Sequence, residues 1–342
     1  MTRGLVVTLI AVTLGTACTR SESPAGAAAA KPLTTVKMNV NPSMTYAPMM
    51  VAKEEGYFAA EGIDAEFVSI DANSALVAVT TGKIDVLSGP IRSGIFNMML
   101  KGVPLQIVAD KGHAEPTGCV TEAFAAPPAL ADRIAANGGS VRGQKFALIR
   151  GGFTEFMIDK LIEKQHLTRK DIQFVQIPQG DSFASQSKVL EAIRYVQEPM
   201  LSNHLSNGSM KVIASSEEVS PDHQHGVVVF GQRLLKDEPE LGRRFMRAYL
   251  RGVRRYNEGK TPRNVDIISR GTRLSPDIIR RSCWLPIAND GQVRQASMQE
   301  ILDWSRKLGY LQADVPRSQW WNSSYIDAAN ASLARTESQP VR

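Results

Sequence analysis

Between residues 46 and 109, short apolar runs alternate with stretches of helical spacing, and glycines punctuate the joins. Thr45 or Ser43 can cap a first helix whose opening turn holds Pro48, where a missing N–H costs nothing. Gly56 can stop that helix by taking a positive φ. Gly62 turns the chain into the alternating run Ala65-Glu66-Phe67-Val68. Asn73 or Ser74 can cap a second helix that ends at Gly82. Residues 84–87, apolar but for Asp85, read as a buried strand. Pro90 opens a third helix ending near Gly102, and residues 105–109 follow as a strand. Strands alternating with helices of about ten residues imply crossover connections, hence a mostly parallel sheet in an α/β domain.

The same stretch holds Ala47-Pro48, Val51-Ala52-Lys53-Glu54-Glu55-Gly56-Tyr57-Phe58, Glu61-Gly62-Ile63 and Gly82-Lys83-Ile84-Asp85. This series resembles the opening of extracytoplasmic solute-binding proteins of ABC importers, most closely the nitrate/sulfonate/taurine/thiamine-precursor family. The resemblance extends over residues 35–330. It implies a two-lobed type II periplasmic-binding-protein fold, each lobe a mostly parallel sheet flanked by helices, with a two-segment hinge. Lobe 1 would comprise residues 35–112 and 226–330, lobe 2 residues 113–225, and residues 331–342 a C-terminal tail. The function it implies is capture of a small organic ligand, a sulfonate, a carboxylate or a pyrimidine-like ring, and delivery to the permease and ATPase subunits of an importer. No cofactor, no metal and no covalent chemistry are implied, and the protein would be a monomer. The family usually carries a second Gly-x-Ile/Val-Asp element before a Glu-Pro pair. Here Glu198-Pro199 follows Val189-Leu190-Glu191-Ala192-Ile193-Arg194-Tyr195-Val196, with no such element.

Residues 1–18 read as an export signal, with Arg3 at the positive end and an apolar run from Leu5 to Ala17 too short to span a bilayer. Leu14-Gly15-Thr16-Ala17-Cys18 resembles a bacterial lipoprotein cleavage box, although Gly15 stands where Leu, Val or Ile is usual. A plain secretory signal is the alternative. With the box, Cys18 would carry acyl chains and residues 19–34, rich in Ser, Ala and Pro, would be a flexible tether to the membrane. An extracytoplasmic location permits disulfides. With Cys18 acylated, Cys119 and Cys283 are left as either a bridge or two buried free thiols.

The chain's 342 residues suffice for two lobes, and 43% hydrophobic with 22% charged residues fits a soluble globular protein. A net charge of +6 leans weakly towards anionic ligands or surfaces. The lack of a Lys/Arg run and the sparse aromatics exclude a nucleic-acid partner.

In open parallel sheets ligands bind beyond the C-terminal strand ends. That rule nominates Ser43, Thr45 and Tyr46 after the first strand, Ser88 and Gly89 after the third, and Arg150, Gly151, Gly152, Phe153 and Thr154 after a strand ending at Ile149. A second-lobe strand could deliver Glu198. Gly151-Gly152 would let a ligand approach backbone N–H groups at a helix start, and Arg150 could grip a carboxylate or sulfonate in two places. The bland alternative is a tight strand-to-helix turn with a solvated Arg150. Glu155 would disfavour an anion if it faced the cleft. Tyr46 and Phe153 could stack on a flat ligand or simply pack. Asp85 reads as structural.

Of five histidines, only His223 and His225 lie close together, without a third ligand at metal spacing, and they read as a surface loop near the hinge. No metalloprotease, serine-hydrolase or phosphate-loop motif occurs. Two other classes stay open. A fungal-type pyrimidine-precursor synthase shares this fold, but carries clustered cysteines for iron, whereas no two cysteines are neighbours here. A receptor that signals to another membrane protein would look like an importer subunit.

Overall fold

The computed structural model describes residue 1 and residues 32–116, 118–177 and 191–337. The expected signal and Cys18, most of the tether, and the run from Val189 to Leu190 lie outside the described residues. The described strands are β1 (Thr34–Asn39), β2 (Ile63–Val68), β3 (Val86–Pro90), β4 (Gln106–His113), β5 (Glu122–Ala126), β6 (Lys145–Leu148), β7 (Gln173–Gln176), β8 (Arg194–Gln197), β9 (Lys211–Ser215) and β10 (Gln224–Phe230).

Alternation sets the edge of the first sheet. β1 buries Val36 and Met38 and exposes Lys37; β2 buries Ile63 and Ala65 and exposes Asp64 and Glu66. The strands pair in parallel with Lys37 opposite Glu66, and these side chains form an ion pair at 3.2 Å on the wet face. β4 and β10 are buried along nearly their whole length, as strands covered on both faces must be. The order is β2-β1-β3-β10-β4. β1, β2 and β3 run parallel, while β10 runs antiparallel to both β3 and β4. The sheet is therefore mixed: β10 enters at the edge where its neighbours end, so it must run back against them.

The second sheet is built differently from the expected parallel layer. β5 is central and antiparallel to β8 and to β9. β6 and β7 pair in parallel, and Ile193 ties them to β8 through bonds with Lys145 and Ala147 of 2.8 and 3.0 Å. Two segments link the sheets, residues 114–121 outbound and 216–223 returning. They touch where the Ala114 N–H donates to the His223 carbonyl at 2.8 Å. Leu33–Arg342 make one unit, and its main apolar core runs without a break from Val36 and Met38 to Phe124, Phe146 and Tyr195.

Several local expectations shift by a few residues. Asp71, not Asn73 or Ser74, caps the helix Ala72–Thr80, accepting from the Asn73 and Ser74 N–H groups at 2.9 and 3.2 Å. Pro90 ends β3, opposite Gly226, and the next helix starts at Ser93. β4 continues past Ala109 to His113, because β10 pairs with it up to that residue. The strand expected at Cys119 starts instead at Glu122. The helix Pro239–Asn257 buries Leu241, Phe245, Tyr249 and Val253 on one stripe. Gly252 on that helix lets it press on Ala47–Glu54: a Cβ there would stand 2.4 Å from the Pro48 carbonyl oxygen.

Candidate functional site

β1, β3 and β4 all end on one edge of the first sheet, the edge where open α/β sheets take ligands. Asn39 closes β1, Ser88 lies in β3, and Tyr46 ends the single 3-10 turn Met44–Tyr46 that follows β1. The Tyr46 hydroxyl donates to the Ser88 carbonyl at 2.8 Å, and Asn39 Nδ2 donates to the same oxygen at 2.7 Å. The Ser88 N–H donates back to Asn39 Oδ1 at 2.8 Å. Burial pushes the Tyr46 phenol up to about 12, so it serves as a neutral donor.

Lys111 reaches this group from β4. Its side chain is 1% exposed, and Nζ donates to Thr45 Oγ1 while standing 3.7 Å from the centre of the Tyr46 ring. Among the described residues no carboxylate forms an ion pair with it. Burial pulls its pKa down to about 7, against the charges of Glu122 and Asp110.

A second buried cluster comes from the other sheet. Glu122, at the start of β5, accepts from the Tyr195 hydroxyl at 2.8 Å and lies 3.3 Å from His223 Nε2. Its other oxygen lies 2.9 Å from His225 Nδ1, a contact poorly angled for a hydrogen bond. Burial raises the carboxyl pKa, but His225 and His223 outweigh burial and hold it below the usual range. The Gln197 amide nitrogen is 3.1 Å from His225 Nε2, which as acceptor keeps the ring proton on Nδ1, towards Glu122. Phe153 covers both rings, with centroid distances of 5.2 Å to His223 and 4.8 Å to His225.

The connectors are pinned beside these clusters. Asp110 binds His113 Nδ1 at 2.7 Å, the Gly112 N–H at 2.6 Å and Gln224 Nε2 at 2.6 Å. His113 Nε2 lies 2.9 Å from Glu115, which pairs with Arg294. Cys119 and Cys283 are bonded, with Cα atoms 5.6 Å apart, so the outbound connector is tied to the C-terminal half of the chain.

Of the residues nominated from sequence, Thr45, Tyr46, Ser88 and Gly89 lie at the crevice edge and are buried; Ser43 is half-buried, its Oγ 3.3 Å from Thr45 Oγ1. The glycine turn is engaged within the protein. The Gly151 N–H donates to Glu155 Oε2 at 2.7 Å, and the Gly151 carbonyl accepts from the Ser93 N–H at 3.0 Å. The Phe153 N–H donates to the Ile91 carbonyl at 3.1 Å, and Gly152 forms a bridge with Arg92. Glu155 is wholly buried, paired with Arg169 and accepting from Tyr310 at 2.9 Å, so this chain's own carboxylate fills the helix terminus. Arg150 is exposed and reaches Glu155 only at 3.9 Å; Thr154 is half-buried. Glu198 is buried, accepting from the Ser202 N–H and hydroxyl and from the Cys283 N–H at 3.1 Å. Asp85 accepts from the Lys37 N–H at 2.8 Å, a structural bond.

The histidine pair expected on a surface loop is 1% exposed, because His225 lies within β10 and both rings turn to Glu122. A spacing of two beside Val227-Val228-Val229 is the mark of one strand face, and that signal was available in the sequence. Lys111 and Glu122 carried no such mark.

The model of the NMT1/THI5-like family matches residues 43–258. The chain belongs to the NMT1/THI5-like family. This family member is 26% identical over 271 residues to the riboflavin-binding protein RibY of Chloroflexus aurantiacus, a match covering 73% of each chain. Its fold is that of a ligand-binding component of an ABC-type import system from Staphylococcus aureus, solved with zinc bound: TM-score 0.71, 17% identity, 86% of this chain and 98% of the other covered. The desulfurization enzyme DSZB also superposes, at TM-score 0.60 and 13% identity, over 88% of this chain and 99% of the other. The fold of this NMT1/THI5-like protein is thus that of periplasmic binding proteins, a scaffold that an enzyme also uses.

Proposed function

We propose that this protein is an extracytoplasmic receptor that captures a small organic solute between two lobes and delivers it to an ABC importer. The lobes are residues 35–112 with 226–330, and residues 113–225. The observation that carries the reading is the convergence of buried polar groups from both sheets at one strand-end edge: Asn39, Tyr46, Ser88 and Lys111 from one, Glu122 and Gln197 from the other. Each group is aimed by bonds to its neighbours, as a binding cleft requires. Family membership supports it, and so does the riboflavin-binding relative, whose ligand is flat and aromatic. Entry requires the lobes to part about the paired connectors, a hinge motion. Acylation of Cys18 would hold the receptor at the membrane as a monomer on a flexible tether.

The test is a thermal-shift screen of the purified protein against sulfonates, carboxylates, pyrimidines and flavins, with mass spectrometry of each hit after incubation. The expected result is a raised melting temperature with the compound recovered unchanged. Chemical conversion of a hit would overturn the receptor reading in favour of an enzyme.

A further inference from the structure

The outer face of the helix Pro239–Asn257 is built from arginine. From Leu241 to Tyr256 the sequence holds six arginines and ten residues that are apolar, aromatic or glycine. All ten of the latter are buried, so Arg243, Arg244, Arg247, Arg251, Arg254 and Arg255 make up the exposed side. With Glu240 the helix carries a net charge of +5, against +6 for the whole chain. Glu240 and Glu61 pair with Arg243 and Arg247 near its start, and Glu258 pairs with Arg255 at its end. In the middle, Arg251 lies over the Tyr57 ring at 4.2 Å, and Arg254 donates to the neutral Asn330 side-chain oxygen at 3.0 Å. The chain enters the fold beside this helix. Residues 2–31 lie outside the described residues, and the Thr34 N–H donates to the Gly62 carbonyl at 2.9 Å. Glu61, next to Gly62, holds Arg244 through its carbonyl at 2.8 Å and Arg247 through its carboxylate at 2.7 Å. A chain tethered through Cys18 therefore meets its folded part at the arginine face.

Resting on the receptor reading above only for the tether, we infer that the arginine face of this helix lies against an anionic phospholipid surface. Guanidinium forks match phosphate oxygens in two places and keep their charge at any working pH. Contact is at the headgroup level, because the apolar side of the helix is buried in the core and cannot enter the acyl layer. Protein interfaces are built around an apolar centre, and between Leu241 and Tyr256 no apolar side chain is left exposed to supply one, which favours a layer of phosphates over a protein partner. Two weak attachments then act together: acyl chains on Cys18 keep the face near the bilayer, and the arginines fix which side of the first lobe turns towards it. The helix packs on Ala47–Glu54, Tyr57–Ala60 and Ser324–Glu337, all parts of the first lobe, so the second lobe stays free to move about the connectors.

The test is sedimentation of the full-length chain with vesicles of phosphatidylcholine, alone or mixed with phosphatidylglycerol. Wild type should partition to the mixed vesicles more strongly than to the neutral ones by about tenfold or more at about 0.1 M sodium chloride, and lose most of that preference at about 0.5 M. The neutral vesicles account for whatever the apolar run near the N-terminus contributes. The triple variant Arg243→Gln, Arg251→Gln, Arg255→Gln should lose most of the preference. A control with the same change in charge at exposed positions elsewhere, Lys83→Gln, Lys101→Gln, Lys145→Gln, should keep it. Should the triple arginine variant fail to fold by circular dichroism, Arg243→Gln and Arg251→Gln singly should each lower the preference about threefold. Equal partition of wild type to both kinds of vesicle would overturn the inference and leave an acidic protein face as the occupant. A preference that survives in the triple arginine variant would also overturn it, as would an equal loss in the lysine control, which would make net charge responsible and not the arginine face. No solute enters the experiment, so failure here and failure of the receptor reading are separate results.

Discussion

Replacing Lys111 by methionine removes a buried charge at nearly constant side-chain length, and its effect on the ligand-free protein follows from the structure. Burial pulls the ammonium from its ordinary 10.5 to about 7, with Glu122 and Asp110 acting in the other direction. The folded state therefore holds this proton less tightly than the unfolded chain. Below about pH 7 both states carry it, and the folded state bears the full desolvation cost. Between about pH 7 and 10.5 the unfolded chain binds more protons, so wild-type stability gains from this group as pH rises. Replacing buried ion pairs by apolar residues is often neutral or stabilising by 1–4 kcal/mol, and Lys111 leaves no ion-pair partner behind among the described residues, so we expect Lys111→Met to be more stable than wild type by about 2 kcal/mol at pH 6. For the unit Leu33–Arg342 the melting entropy is about 0.65 kcal/mol/K, which makes that gain a rise of about 3 °C. The gap should narrow by up to about 1.4 kcal/mol per pH unit above pH 7 and close between about pH 8 and 9. Scanning calorimetry of both proteins from pH 6 to 9 measures this directly, because every other titrating group is common to the pair. A variant that melts below wild type at pH 6, or a gap that does not change with pH, would refute the reasoning.

Three further outcomes are expected. Glu155→Ala strips the partner from Arg169, Tyr310 and the Gly151 N–H, and should destabilise by about 3 kcal/mol in urea titration; a change under about 0.5 kcal/mol would show that the carboxylate does not organise the turn. The Cys119–Cys283 bridge closes a sequence separation of 164 residues, so chain-entropy reasoning gives about 5 kcal/mol, and dithiothreitol should lower the melting temperature clearly; an unmoved melt speaks against the bridge. Burial opposes charge on His113, but the hydrogen bond and charge of Asp110, then Glu115, raise its pKa above 6.5. Its contribution is complete below the unfolded value and is lost as pH rises through the folded one, so His113→Gln should flatten that part of the stability profile; an unchanged slope would contradict the pairing.

The helices and glycine stops of the first 100 residues were legible because they depend on near neighbours. Gly56, Gly62, Gly82 and Gly102 all take positive φ, between 69° and 79°. Pro48 sits in the first turn of its helix as expected. Errors gather where a partner far along the chain decides. Nothing near Lys111 signals that β4 continues to His113; that is settled by β10, more than a hundred residues later. The antiparallel run of β10 was hidden for the same reason, since a strand's direction depends on where the chain re-enters the sheet. The strand-end rule nominated Thr45, Tyr46, Ser88 and Gly89, and these lie buried at the strand-end edge of the first sheet. It could not show that Glu155 would turn back onto Gly151, because a carboxylate in the first turn of a helix can face either its own N-terminus or solvent.

Local sequence thus determined what is governed by backbone sterics and periodicity: an α/β chain, the positions of its turns, and the family signature between residues 43 and 258. Tertiary structure alone decided which charges are neutralised. Lys111, Glu122, His223 and His225 are ordinary polar residues in the linear chain. Their chemistry arises because two sheets bury them together and leave Lys111 without a carboxylate partner among the described residues. Desolvation depends on what surrounds a group in space, and spacing along the chain does not encode it.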